Sequence, residues 1–505
     1  MRFAVESSEQ APLGAVQSWD PFEWLSARFI GITAQLVPTH LQSLVFSSPL
    51  SARSTDLYLI WHPGYRQQCA GRIYLGLCYA LLKGFLKGVS KLIFNPTTQG
   101  YALYGRIKNS LLVVSSVCGE ESRDARFQTP YIRTAEDDAL FVFGSLRELG
   151  ARAIPCRRLR TLFQLAACLK LLQAGIRAGI RADGPVIDRL ILLGHWVAWV
   201  TALDWRSLLL LEDSLAHVLE MNQVTKLGCI HEMHAYARIV WRLAARFGAM
   251  AYTLQHAAIT RGKRWYFAYP EEQKAGLKLS DVFYVYDERT VSLLRPWFPE
   301  TRFLLGCSPR YAKWVTCRPT PPPAGGCVLF AGGLANFDNE VLVNALKVLS
   351  RGGLGPGRVK LRLHPQAQLK AGQKWWLSRL KAKGLVTLSE EADLAKDLSE
   401  AKVVIGMSST VLEEALLAGR PVIQLCDDKY LLFVDLKGVQ GVKRVHWGEL
   451  KLETISSCTA PDAAQIARGW LGLTHPVVTY HRLFEAEQTQ DHDVVGCYSQ
   501  PEPTR

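Results

Sequence analysis

The sequence has 505 residues, 49% of them apolar and 21% charged, with a formal charge of +14. That balance excludes a disordered or fibrous chain, and the length exceeds what one ordinary core fills, so two domains with tails are expected. The 12 cysteines form no CxxC or Cys/His cluster, which argues against a disulfide framework or a zinc site and for a reducing, cytosolic compartment.

Met1 to Gly14 carries acidic and polar residues where a secretory signal has a basic start and an apolar run, and residues 1–45 read as an N-terminal extension. Residues 46–317 read as a first Rossmann-like domain. Its apolar runs at Asp56 to Trp61, Ser110 to Val117 and Ala139 to Phe143 predict buried strands. Tyr74 to Phe94 spaces Lys83, Lys87 and Lys91 four residues apart among Leu, Phe and Val, and Arg157 to Arg189 is a second basic amphipathic stretch. Ordinary surface helices packed on a core account for both; docking on an anionic membrane leaflet is the functional alternative. No nucleic-acid motif accompanies the positive charge. The apolar run Leu190 to Leu203 is broken by Gly194 and His195 and is too short to cross a bilayer.

Leu227 to His231, a helix at Ala235 to Phe247, and strands at Ala251 to Gln255 and Val282 to Tyr286 continue the strand–helix alternation of a parallel sheet. Glu232 and His256 follow two of these strands. A carboxylate or imidazole there suits removal of a proton from an acceptor hydroxyl, while a helix-start carboxylate serves as well for Glu232. His231, Glu232 and His234 form HExH, not the HExxH that places two zinc ligands on one helix face, so no metal is expected.

The proline-rich stretch 318–326 is a linker, after which residues 327–487 read as a second Rossmann-like domain and 488–505 as a polar tail. Strands are expected at Cys327 to Ala331, Val359 to Leu363, Val386 to Leu388, Val403 to Ile405 and Pro421 to Leu425. Helices alternate with them at Asn339 to Leu349, Leu369 to Lys383, Ala392 to Ser399 and Val411 to Ala418. Gly332 and Gly333 end the first strand, where the missing side chains allow close approach of a diphosphate or acceptor. His364 and Pro365 follow the second strand, and the ring can donate to a phosphate or leaving-group oxygen. Ser408, Ser409 and Thr410 precede a helix start, where free amides and the dipole attract an anion, although helix capping explains the same residues. Glu413 and Glu414 lie one turn on, where one carboxylate can face the cleft and accept from ribose hydroxyls. Neither GxGxxG, GxxxxGK[ST] nor GxSxG is present, which removes the main support for a nicotinamide oxidoreductase, a P-loop kinase or a serine hydrolase.

RLHPQ followed by GMSSTVLEEALLAGRPVI resembles the His-Pro and Ser-Ser/Thr motif pair of bacterial surface-polysaccharide glycosyltransferases that use CMP-activated acids, the sialyltransferases and Kdo transferases. The stretch HEMHAYARIVWRLAARFGAMAYTLQHAAI is similar to a segment of capsule and O-antigen proteins, with Ala257 where the usual motif is Gln-His-Gly. The resemblance implies an α/β, GT-B chain of two Rossmann-like domains facing a cleft, acting without a metal or other cofactor on a nucleotide-sugar donor. His364 and Ser408 to Thr410 would bind the nucleotide's phosphate, Glu414 its sugar, and Glu232 would be the general base beside His256. The acceptor would be a saccharide or lipid-linked saccharide. CDP-glycerol or ribitol phosphotransferases share the motif pair, and a non-catalytic partner of the same shape is a further alternative.

Overall fold

The computed structural model describes residues 21–48, 50, 63–94, 99–107, 109–115, 120–121, 127–128, 139–145, 154–155, 161–230, 235–255, 258–260, 263, 266–267, 270–305, 311, 314, 319–353, 355, 357–364, 367, 369–391 and 393–470. The expected strand at 56–61, the Pro365 turn and the Glu232 and His256 positions lie outside them.

The first lobe carries an eight-stranded sheet built from β1 (Gln99–Tyr104), β2 (Ser110–Ser115), β3 (Ala139–Ser145), β4 (Ile154–Pro155), β5 (Lys226–Cys229), β6 (Met250–Leu254), β7 (Val282–Val285) and β8 (Arg302–Leu305). Their order is β8-β7-β6-β5-β2-β3-β1-β4. All neighbours from β8 to β3 are parallel, and β1 runs antiparallel to both β3 and β4. β2, β5, β6 and β7 are short runs buried at most positions, the pattern of strands covered on both faces. Strands β3-β2-β5-β6-β7 thus have the flavodoxin-like order 2-1-3-4-5, whose direction of crossover reverses between β2 and β5.

Helices α1 (Pro21–Leu36), α2 (Thr39–Phe46), α3 (Pro63–Phe94), α4 (Thr161–Arg181), α5 (Val186–Thr201), α6 (Trp205–Met221) and α7 (Ala235–Phe247) surround this sheet. The expectation of an N-terminal extension up to residue 45 is corrected here, because Phe29, Ile30, Leu41 and Leu44 are buried in the lobe's main core. Ile30 with Ala34, and Leu41 with Leu44 and Val45, recur at helical spacing, but no bounding strand marked them as part of the domain. α7 has the sharpest division into two faces, burying Ile239, Val240, Leu243 and Ala244.

In the second lobe β9 (Cys327–Ala331), β10 (Val359–Arg362), β11 (Val386–Leu388), β12 (Ala401–Gly406), β13 (Val422–Cys426) and β14 (Val442–His446) form one all-parallel sheet, ordered β11-β10-β9-β12-β13-β14. This is the dinucleotide-binding order 3-2-1-4-5-6, with its switch point between β9 and β12. The lobes are two Rossmann-like α/β units, as expected of a GT-B chain. The linker is pinned rather than loose: the buried Arg420 donates to the Thr320 carbonyl at 2.5 Å, its hydroxyl at 2.9 Å and the Leu398 carbonyl at 2.6 Å. Gly419 before it has φ +75°, the left-handed turn that ends a helix and suits glycine.

Candidate active site

The helices next in the chain are α8 (Pro270–Lys274) and α9 (Glu288–Leu294) in the first lobe. In the second lobe they are α10 (Asn336–Arg351), α11 (Ala371–Ala382), α12 (Leu394–Glu400) and α13 (Val411–Leu417). The carboxyl ends of both sheets meet between the lobes. Thr260, after β6, donates its hydroxyl to the Phe433 carbonyl after β13, and Arg289 of α9 lies 3.3 Å from Glu413 of α13. Tyr311 donates to the same carboxylate at 2.5 Å. Arg289 is partly buried, which alone would lower its pKa, but the facing charges of Glu413 and Asp287 outweigh burial and raise it.

At the switch point of the second lobe the two central strands end in turns made for close approach. A methyl at Gly406 would sit 2.8 Å from the Ala331 carbonyl and 3.1 Å from Leu412, so only glycine lets β12 end beside β9. At Gly332 and Gly333 the space a side chain would fill is taken by the protein itself. Cβ atoms there would lie 2.8 Å from Asn339 Oδ1 and 2.1 Å from Asp338 Oδ2. Asn339 donates to the carbonyls of Gly333 at 3.0 Å and Ala335 at 3.2 Å, fixing the turn from the first turn of α10.

Asp338 is the most perturbed group at this edge. It is 2% exposed, its Oδ1 has no hydrogen-bond partner, and burial pushes its pKa up to about 7. The nearby Ser408 hydroxyl, the Ala335 N–H and the charge of Lys263 from the first lobe offset burial only in part. No motif in the sequence marked Asp338; an acidic residue three positions into a helix looks like an ordinary N-terminal charge.

Ser408 and Ser409 are 7% and 9% exposed. Ser408 Oγ accepts from the Phe433 N–H at 2.9 Å, Ser409 Oγ from the Val411 N–H at 3.3 Å, and Thr410 makes no capping bond from its side chain. The 427–439 segment that covers this turn is stapled by buried Gln424, which donates to the Met407 carbonyl at 2.9 Å and the Val434 carbonyl at 2.6 Å and accepts from the Leu436 N–H at 3.0 Å. Sequence reasoning missed Gln424 because it sits mid-strand among apolar residues. Glu414 is 5% exposed and accepts from the Trp314 indole N–H at 3.0 Å, so its carboxylate is turned to the interlobe segment rather than to an open ribose site. His364 is half-buried at the end of β10, the strand on the far side of β9 from β12. Two strand spacings, about 10 Å, separate it from Ser408, so a ligand touching both must lie along the edge across the glycine turn. In the first lobe, Gln255 is buried and accepts from the Tyr286 N–H at 2.8 Å, tying the end of β6 to β7. Among the described residues no cluster of three or more His, Cys, Asp or Glu side chains could hold a metal ion.

No family model matches the chain, and no curated protein does. Solved structures do. The GtfA/B complex aligns over 55% of this chain and 61% of its own at 13% identity and a TM-score of 0.35, so the chain spans less than two thirds of that relative. The lipopolysaccharide outer core galactosyltransferase WaaB, in its apo form, aligns over 76% of this chain and all of its own (100%) at 9% identity and TM-score 0.37. Anabaena Alr3699/HepE, in complex with UDP and glucose, aligns over 56% and 82% at 13% identity and TM-score 0.35. These likenesses are too distant to assign an activity; the strand orders and the site's own chemistry carry the reading that follows.

Proposed function

We propose that the chain is a nucleotide-sugar-dependent glycosyltransferase of GT-B architecture that holds its donor at the switch point of the second lobe. The observation that carries this reading is the convergence of the Gly332–Gly333 turn, the Ser408–Thr410 turn and His364 on the carboxyl edge of a 3-2-1-4-5-6 sheet, opposite the carboxyl edge of a second parallel sheet. A donor lying along that edge would have its phosphate between His364 and the backbone amides of the 408–410 turn, with the sugar directed at the first lobe.

The finer reading is a CMP-linked acidic sugar transferred, without a metal, to a saccharide or lipid-linked saccharide of a surface polysaccharide, at the cytosolic face of a membrane. In that reading Glu232 takes the acceptor proton as the anomeric carbon develops positive charge, and His256 shapes the cleft. The leaving phosphate is stabilised by fixed donors, which need no reorganisation as charge develops. The test incubates purified protein with CMP-linked and UDP-linked sugars and with CDP-glycerol, following nucleotide release and the group recovered in product. Sugar in product from a nucleotide donor supports the proposal, and CMP release with a CMP-sugar supports its finer form. Glycerol phosphate in product, or no nucleotide bound by calorimetry, refutes it.

A further inference from the structure

Helices α3 and α4 wear their apolar faces on the outside. Of the 23 large apolar side chains exposed among the described residues, 17 lie on α3, α4 and the start of α5. On α3 the outward stripe runs through Leu75, Tyr79, Leu82, Leu86 and Ile93, at helical spacing, with Leu75 73% exposed. α3 packs against α5 through small residues instead: side chains at Gly84 and Gly88 would strike the backbone carbonyls of Ala198 and Thr201 at 2.5 and 1.8 Å. At 100° per residue the stripe is roughly half a turn away from this contact, so it faces out. α4 repeats the design. Gly175 packs on the Trp196 ring, whose N–H donates to the Leu171 carbonyl at 2.9 Å, while Leu162, Leu165, Leu169 and Ile180 on the opposite side are exposed.

Charge says what such a face meets. α3 contains five basic residues and α4 three, and neither contains a carboxylate. On both helices exposed cations run along one flank of the apolar stripe, Arg72 and Lys83 on α3, and Lys170 and Arg177 on α4. We propose that this face docks on an anionic lipid bilayer, with the leucine stripes at the acyl boundary and the cations at the headgroups. A second copy of the chain would bring these like charges together across a symmetric contact, which disfavours it as the occupant.

By length and composition Tyr65–Ile93 of α3 is also able to cross a bilayer, but its glycine seam on α5 and its ion pairs with the lobe favour a surface position. Its ends are tied to the body by Arg66 on Asp188 and by Lys87 and Lys91 on Asp204, at 2.6 and 2.7 Å. Its start also touches the candidate site: the Tyr65 ring lies 6.0 Å from Tyr430, which stacks at 4.9 Å on Phe337, the neighbour of Asp338. A docked α3 therefore places the membrane at one end of the cleft, where a lipid-linked acceptor would enter. The docking itself is independent of the glycosyl-transfer reading.

The experiment is co-sedimentation of the full chain with phosphatidylcholine vesicles with and without phosphatidylglycerol. Binding is expected on the anionic vesicles and is released by added salt. Leu75→Ser/Leu82→Ser/Leu86→Ser is expected to reduce partitioning by roughly tenfold or more for the apolar area lost. Lys83→Gln/Arg177→Gln is expected to reduce it by about thirtyfold for two headgroup-level charges. Trp375→Ser, an exposed aromatic of the other lobe, is expected to leave it unchanged. Absence of vesicle binding, equal binding to neutral vesicles, or a dimer in sedimentation equilibrium that the leucine variant abolishes each overturns the proposal. Membrane retention through alkaline extraction overturns it in favour of a spanning helix. Nucleotide calorimetry on the leucine variant separates this inference from the transfer reading, because donor binding is expected to persist when docking is lost.

Discussion

Replacing Asp338 by asparagine tests the electrostatics of the donor edge directly. With a folded pKa pushed up to about 7 and an ordinary unfolded value of about 3.9, the native chain holds one more proton than the unfolded chain between those limits. Stability from this site is therefore full below about pH 4 and is lost as pH rises, reaching its floor above about pH 7. Integrated from about pH 5 to about pH 7, the loss is about 2 kcal/mol at 1.36 kcal/mol per unit. For a lobe of this size that corresponds to a melting shift of about 4–8 °C. Asparagine keeps the shape and cannot ionise. The measurement is the melting temperature of the second-lobe transition for both proteins across this range, taken as the wild-type minus variant difference so that other titrating groups cancel. Wild type is expected to lose stability relative to D338N as pH rises. Parallel curves would refute a protonated, buried carboxyl at 338, and a difference that grows in the opposite direction would mean that Lys263 and Ser408 hold it ionised.

Gln424→Leu leaves the Met407 and Val434 carbonyls and the Leu436 N–H without their buried partner; chemical denaturation should show a loss of about 2–4 kcal/mol, with faster proteolysis in the 427–439 segment. Gly406→Ala forces a methyl against the Ala331 carbonyl and Leu412, so stability should fall by about 1–3 kcal/mol and nucleotide affinity with it. Arg420→Ala removes the three bonds that hold the linker and the Leu398 carbonyl; a destabilisation of about 3 kcal/mol is expected in the same assay. His364→Ala should weaken nucleotide binding by about tenfold, the worth of one charge-assisted bond, while leaving the melting temperature within about 1–2 °C. An unchanged affinity would remove His364 from the donor site.

The second lobe was legible where its strands are short apolar runs bounded by turn residues: Cys327 to Ala331 and Val386 to Leu388 fall where expected. The helix Ala235 to Phe247 was likewise fixed by its own periodicity. β1, β4, β8 and β14 were not foreseen. β14, with no fully buried position, alternates no apolar pattern at all, and only its pairing with β13 makes it a strand. Gly332 and Gly333 announced a close approach, but the approaching atoms are Asn339 and Asp338, six or so residues on, and a glycine does not say what fills the space beside it. α3 shows the same gap in another form. Its sequence declares two faces, yet the ordinary rule that the apolar face is buried fails, because Gly84 and Gly88 offer α5 a closer contact.

By itself, the amino-acid order determined the local features of this protein: the alternation of strands and helices, the linker, and the turns after Ala331, Arg362 and Gly406. Periodicity and turn chemistry act over a few residues, so they are written along the chain. Which strands lie side by side, where the crossover direction reverses, that a carboxyl at 338 is sealed from water, and which side of α3 meets the body were decided only when distant segments packed. Those properties depend on contacts between residues far apart in the chain, and their energies come from burial and exclusion of solvent that no short window contains.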